Sequence, residues 1–137
     1  MKRIYLDTNI LIDILLDRDL EHISINKITP FLKQSKVYMS TLSVHITYYI
    51  LKIKANTLMH RKAMPLINNI NLIPLSKLII DNALHNFSID FEDTLQYYSA
   101  LDQSCDYILT RDKKDFEKIK ELIPSKIAIV DTLNTVL

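Results

Sequence analysis

Four aspartates stand where short apolar runs end or helical patterns begin. Asp7 follows Ile4-Tyr5-Leu6, Asp112 follows the run closed by Thr110, Asp115 lies one helical turn later, and Asp93 sits in the first turn of a helical stretch opening at Phe91. Carboxylates drawn from such distant stretches, meeting at one edge of a sheet, make the oxygen-only site that hard divalent cations such as Mg²⁺ or Mn²⁺ require. Phosphate and water complete such a shell. Each residue alone has a plainer reading, since an Asp at a strand end or helix start commonly caps free backbone N–H groups. Asp115 by itself reads equally well as a site carboxylate or as a mere cap or solvated charge, and Asp131 reads as a cap or solvated charge. Asp7 is harder to explain that way, because a charge running straight out of an apolar strand is disfavoured. The set carries the signal.

Composition removes other chemistries. The chain has 137 residues and no glycine, so neither a Gly-rich phosphate loop nor a dinucleotide fingerprint can be built. Nucleophile elbows of the GxSxG form are excluded with them. Seventeen basic residues face 16 acidic ones for a net charge of +1, too balanced for binding that rests on broad attraction to nucleic acid or membrane. The single cysteine, Cys105, permits no internal disulfide and no cysteine zinc cluster, which suits a reducing compartment. The early apolar stretch is broken by Asp7, Asn9 and Asp13, so neither a signal peptide nor a membrane helix of about 20 apolar residues is expected there. A soluble, cytoplasmic protein without membrane association is the expectation.

Short apolar runs alternate with longer helical patterns. Strands are expected at Ile4–Leu6, Val37–Met39, within Ile70–Pro74, at Asp106–Thr110 and at Ile127–Val130. Helices are expected over Asn9–Leu16, Asp19–Lys33 (with Ile23, Ile25, Ile28 and Leu32 apolar, and Pro30 making a kink or an early end), Thr57–Asn69, Ser76–His85, Phe91–Ser104 and Lys113–Leu122. Another follows the second strand, capped by Ser40 or Thr41, with Leu42, Ile46, Tyr49, Ile50 and Ile53 as its apolar positions. Asp131 would cap a terminal helical turn. Strands apolar on both faces belong in a parallel sheet covered by helices. The expected architecture is one α/β domain over 1–137, a central parallel sheet of four to five strands flanked by helices, with chemistry at the carboxyl ends of strands.

At the acidic positions the sequence resembles the PIN-domain ribonucleases, the fold of VapC-type toxins. Leu6-Asp7-Thr8-Asn9-Ile10-Leu11-Ile12-Asp13 is similar to the family's opening motif, and Met39-Ser40-Thr41-Leu42-Ser43 to its second strand end. Asp90-Phe91-Glu92-Asp93-Thr94-Leu95-Gln96-Tyr97 resembles its central acidic helix start, and Tyr107-Ile108-Leu109-Thr110-Arg111-Asp112-Lys113-Lys114-Asp115-Phe116 its later strand-to-helix motif. The four occur in family order across essentially the whole chain. The resemblance implies an endoribonuclease dependent on Mg²⁺ or Mn²⁺ that hydrolyses phosphodiester bonds, the cation stabilising charge on the phosphate oxygens. It places Asp7, Asp93, Asp112 and Asp115 around the metal. Asn9 would support Asp7 through its amide, and Thr110 or Ser40 would bond carboxylates or phosphate. An RNA substrate, a cognate antitoxin protein and a homodimer are the partners it implies, with Tyr48 and Tyr49, or Ile79 and Ile80, as apolar surface.

One departure stands out. The family usually carries a glutamate about one and a half turns past that serine, where this chain reads Ser43-Val44-His45-Ile46-Thr47-Tyr48. Ile46 cannot bind a metal, and His45 reads as a surface residue or, with a shifted alignment, as a Mn²⁺ ligand. Glu92 is the more credible replacement, its plainer reading being a favourable charge at a helix start. Arg111, Lys113 and Lys114 open the densest basic stretch and could hold an RNA backbone or simply form a solvated face. Two functions therefore compete: a metal-dependent endoribonuclease, and a catalytically weakened PIN-like module that binds RNA or a protein. A phosphatase or receiver domain fits less well, since Asn9 stands where a second phosphatase aspartate would be.

Overall fold

In the computed structural model, residues 1–18, 25–87 and 89–136 are described. The elements run β1 (Arg3–Leu6), α1 (Thr8–Leu15), α2 (Ile25–Gln34), β2 (Lys36–Ser40), α3 (Thr41–Ile50), α4 (Leu58–Asn68), β3 (Asn71–Ile73), α5 (Lys77–Asn86), α6 (Phe91–Asp102), β4 (Tyr107–Leu109), α7 (Lys113–Leu122), β5 (Ala128–Val130) and a 3-10 turn at Leu133–Thr135. The five strands form one sheet in the order β3-β2-β1-β4-β5, and every pairing is parallel. The expected α/β class and parallel sheet are therefore found. The order reverses between β1 and β4, so the crevice beyond their carboxyl ends is the topological switch point where such sheets hold ligands.

Alternate residues of the strands face opposite sides and divide the core in two. Ile4, Leu6, Val37, Met39 and Leu109 pack with Ile10, Leu11 and Ile14 of α1 and Ala63, Leu66 and Ile67 of α4. Tyr5, Tyr38, Ile108 and Ile129 pack on the other face with Ile79 of α5, Leu95 and Tyr97 of α6 and Phe116 and Ile119 of α7. Helices thus cover both faces, which is why the strands tolerate apolar residues at successive positions.

Several expectations change. Residues 19–24, the first part of the expected second helix and Ile23 with it, lie outside the described residues. Pro30 does not end α2, which continues to Gln34 with the exposed Pro30 inside it. Ser40, not Thr41, caps α3, its side chain accepting from the Leu42 N–H. The inner face of α3 is not the expected apolar one: Ser43 and Thr47 are its buried residues, while Tyr49 is 77% exposed and Ile50 is exposed too. Thr132, not Asp131, caps the terminal turn.

The absence of glycine leaves a mark at the helix ends. Asp17, Lys52 and Ser104 all adopt left-handed backbone, with φ of 50°, 51° and 51°. After each, crossed bonds close the helix: Arg18 N–H to Asp13 and Asp17 N–H to Ile14, Ile53 to Tyr48 and Lys52 to Tyr49, Cys105 to Ala100 and Ser104 to Leu101. This is the Schellman closure that glycine ordinarily serves. A side chain there costs about 1–2 kcal/mol per residue.

Candidate active site

Asp7 is the residue immediately after β1 and is 1% exposed. Its backbone N–H still belongs to the sheet, donating to Leu109 of β4 at 3.0 Å. Its carboxylate receives one donor on each oxygen: Gln96 Nε2 gives to Oδ1 at 2.8 Å and Thr110 Oγ1 to Oδ2 at 2.8 Å. Burial pushes the Asp7 carboxyl above its ordinary value and nearby Asp112 adds to this, while the bonds from Thr110 and Gln96 oppose it.

The turn after β4 is fastened to α1. Thr110, besides holding Asp7, accepts the Asp112 N–H at 2.9 Å. Asn9 donates its side-chain amide to Asp112 Oδ2 at 3.0 Å, so it supports Asp112 rather than Asp7, the partner expected from the sequence. Between them Arg111 reaches back along α1 to Asp13, its Nε 2.9 Å from Oδ2, while Arg18 takes the other oxygen at 2.9 Å. Asp115, in the first turn of α7, shares a cleft of about 550 Å³ with Asp112, Lys113, Lys114, Glu117 and Asp131.

The start of α6 brings two further carboxyls. Burial, then the neighbouring Asp7, Asp90, Asp112 and Glu92, push the Asp93 carboxyl up to about 8. Burial, Asp7 and Asp90 also raise Glu92, opposed by a hydrogen bond with the Thr8 side chain. Asp7 therefore acts as a like charge on Glu92 and Asp93, and Asp112 on Asp7 and Asp93, the condition a hard cation relieves. As they stand, no three or more of the described His, Cys, Asp or Glu side chains form a ready-made metal site. The donor chemistry fits a divalent cation, and the carboxylates must draw together to ligate one.

Residues 3–114 match the family model of the PIN domain. This chain belongs to the PIN-domain family. It is 28% identical over 137 residues to Ribonuclease VapC1 of Aquifex aeolicus (strain VF5), across 91% of this chain and 92% of that protein. In fold it is similar to VapBC2 from Rickettsia felis, solved bound to a DNA fragment from its promoter, with a TM-score of 0.67 at 15% identity over 93% of this chain and 97% of that one. It is similar also to FitAcB from Neisseria gonorrhoeae, with a TM-score of 0.57 at 19% identity over 93% of this chain and 96% of that one.

Within this PIN domain, Asp7 and Asp112 are joined at the switch point through Thr110, with Asn9 on Asp112, and Glu92 and Asp93 start the helix near enough for Asp7 to raise both carboxyls. Asp115 joins Asp112 in the adjoining cleft. Ser40 is fully buried and its hydroxyl is spent on capping α3, so it is not available to phosphate. His45 is exposed and stacks on Tyr49, ring centroids 6.4 Å apart. Lys113 and Lys114 are exposed, while Arg111 is tied to Asp13. Sequence reasoning missed Gln96, Tyr5, Thr8 and Asp13. Tyr5, Asp13 and Gln96 had a signal, a polar group inside a run that is otherwise core, as in Ile12-Asp13-Ile14 and Leu95-Gln96-Tyr97; Thr8, between Asp7 and Asn9, had none of this kind.

Proposed function

We propose that this PIN-domain protein is an endoribonuclease dependent on Mg²⁺ or Mn²⁺, the toxin of a toxin–antitoxin pair. The observation that carries the reading is the Asp7 carboxyl held by Gln96 and Thr110 at the switch point, with Asp112 fastened beside it by Asn9, in a chain 28% identical to a named ribonuclease along most of its length. Asp7, Asp93, Asp112 and Glu92 would hold the cation, with Asp115 at the cleft edge. When bound, the cation supplies Lewis-acid stabilisation of charge on the phosphate being hydrolysed. Thr110 and Gln96 fix the aim of the Asp7 carboxyl, Asn9 fixes that of Asp112, and the exposed Lys113 and Lys114 would bind RNA phosphates beside them.

The protein partners follow from the same reading. A cognate antitoxin would neutralise the activity, and a small reading frame just upstream that restores growth on co-expression would be the direct test. A homodimer would cover apolar surface such as exposed Tyr49 and Ile50, and light scattering giving only a 16.0 kDa species at micromolar concentration would reject it.

The chemistry is tested by incubating purified protein with RNA in Mg²⁺ or Mn²⁺ and in chelator. Cleavage in metal alone, absent in Asp7→Asn, is expected. No cleavage of any RNA would favour the second reading, a weakened PIN-like module binding RNA or protein. That reading draws on Ile46 standing where the family glutamate is usual.

A further inference from the structure

The middle of α6 carries a glutamine where the core would accept a hydrocarbon. Gln96 is 1% exposed, yet its amide oxygen and nitrogen are both hydrogen-bonded. Its Oε1 accepts from the Thr8 backbone N–H at 3.2 Å and from Tyr5 Oη at 3.1 Å. Its Nε2 donates to Asp7 Oδ1 at 2.8 Å. A backbone N–H can only donate, so the amide cannot be turned over without setting donor against donor. Tyr5 is itself fixed, its hydroxyl accepting the Ser40 N–H at 3.3 Å. Strand β1, the cap of α3 and helix α6 are thereby joined through one side chain.

We infer that Gln96 is the positioning residue of the candidate metal site, setting both the aim of Asp7 and the register of α6 against β1. Gln96 lies three residues past Asp93 and four past Glu92, so the two carboxyls flank its line along the helix, one to each side. Pinning Gln96 to the Asp7–Thr8 corner therefore presents Glu92 and Asp93 to Asp7. With Thr110 on Oδ2, the Gln96 bond on Oδ1 holds the Asp7 carboxyl from both sides. The inference rests on the metal-dependent reading above, and it assigns the glutamine no contact with RNA.

The test uses Gln96→Met, which keeps length and fills the same apolar space, and Tyr5→Phe, which removes one anchor of Oε1 without touching Asp7. Mn²⁺ binding is measured by calorimetry without RNA, beside steady-state cleavage and thermal melting. Partners of this kind are worth about 10–100-fold in metal affinity. Gln96→Met is expected to weaken Mn²⁺ binding by about that factor and to lower kcat with KM for RNA unchanged. Tyr5→Phe should shift both in the same direction by less. A lower melting temperature with wild-type Mn²⁺ affinity and kcat in the folded protein would make Gln96 a packing residue and overturn the inference. Should Gln96→Met not fold, wild-type Mn²⁺ affinity in Tyr5→Phe overturns it equally. A wild-type protein that neither binds Mn²⁺ nor cuts RNA would instead sink the functional reading, and this inference with it.

Discussion

Arg111 Nε lies 2.9 Å from Asp13 Oδ2, joining the residue beside Asp112 to a carboxylate with no exposed surface on the far turn of α1. Three successive residues of the β4–α7 turn thus grip α1 and its cap: Thr110 holds Asp7, Arg111 holds Asp13, and Asp112 takes the amide of Asn9. The basic residue nearest the site serves the fold before it can serve a phosphate. Arg111→Ala is expected to lower stability by about 1.5–3 kcal/mol, the worth of a hydrogen bond to a charged group. The lower end applies, because the arginine side chain is 37% exposed and solvent screens the pair. Denaturant unfolding measures it. A stability loss no larger than that of Lys114→Ala would mean the pair contributes nothing.

The carboxyl cluster makes the metal-free protein sensitive to alkali. The Asp93 carboxyl is raised from 3.8 to about 8, and Asp7 and Glu92 are raised as well, so the native state keeps protons that the unfolded chain has released. A raised carboxyl contributes stability that is fully present below its unfolded value and is lost as pH rises through its folded one. Melting in chelator should therefore be higher at pH 6 than at pH 9. Asp93→Asn should reduce the slope of stability against pH by roughly one proton. Added Mn²⁺ should restore the alkaline loss. Melting independent of pH across this window would mean the carboxyls do not crowd one another.

Asp7→Asn should abolish cleavage while changing stability little, because two effects oppose. It removes a buried charge pressed by Asp112. It also replaces an oxygen with an NH₂ group facing either Gln96 Nε2 or Thr110 Oγ1, which now donate there. Turning Thr110 round to accept leaves its hydroxyl hydrogen without a partner, a penalty of about 1–3 kcal/mol. Retained cleavage in Asp7→Asn would remove this carboxylate from the chemistry.

The sequence made the sheet and its helices legible because strands apolar on both faces and evenly spaced helices leave few alternatives. Helix α7 was read to its exact ends, Lys113–Leu122. The inner face of α3 was not, since Ser43 and Thr47 look like solvent positions until the Thr8 hydroxyl is seen 2.7 Å from Ser43 Oγ. Nor could Asn9 be assigned between Asp7 and Asp112, a choice settled by a contact spanning 103 positions. Motifs bring residues to the same strand end, and only the packed turn decides which of them bond. The lack of glycine was read as an exclusion of phosphate loops, but it also burdens three helix ends. Lys52→Gly should therefore stabilise the protein by up to about 1 kcal/mol, the left-handed cost less the extra unfolded freedom of glycine. A fall in melting temperature would refute this.

Glu92 offers the sharpest test of how the site manages without a glutamate on α3. Two adjacent residues on a helix project roughly 100° apart, so Glu92 and Asp93 would not ordinarily serve one ion. Here the length of Glu92 and its place in the first turn of α6 let both feel Asp7. Glu92→Gln keeps the shape and removes the charge. It should weaken Mn²⁺ binding and cleavage by about 10-fold or more, the scale on which a lost partner at a metal site is felt. Glu117 would be a poor control, since it lines the cleft with Asp112 and Asp115; Glu121, exposed on the same helix, is the clean one. Equal and small effects of Glu92→Gln and Glu121→Gln would reduce Glu92 to a favourable charge at a helix start. The protein would then hold its cation with Asp7, Asp93 and Asp112 alone.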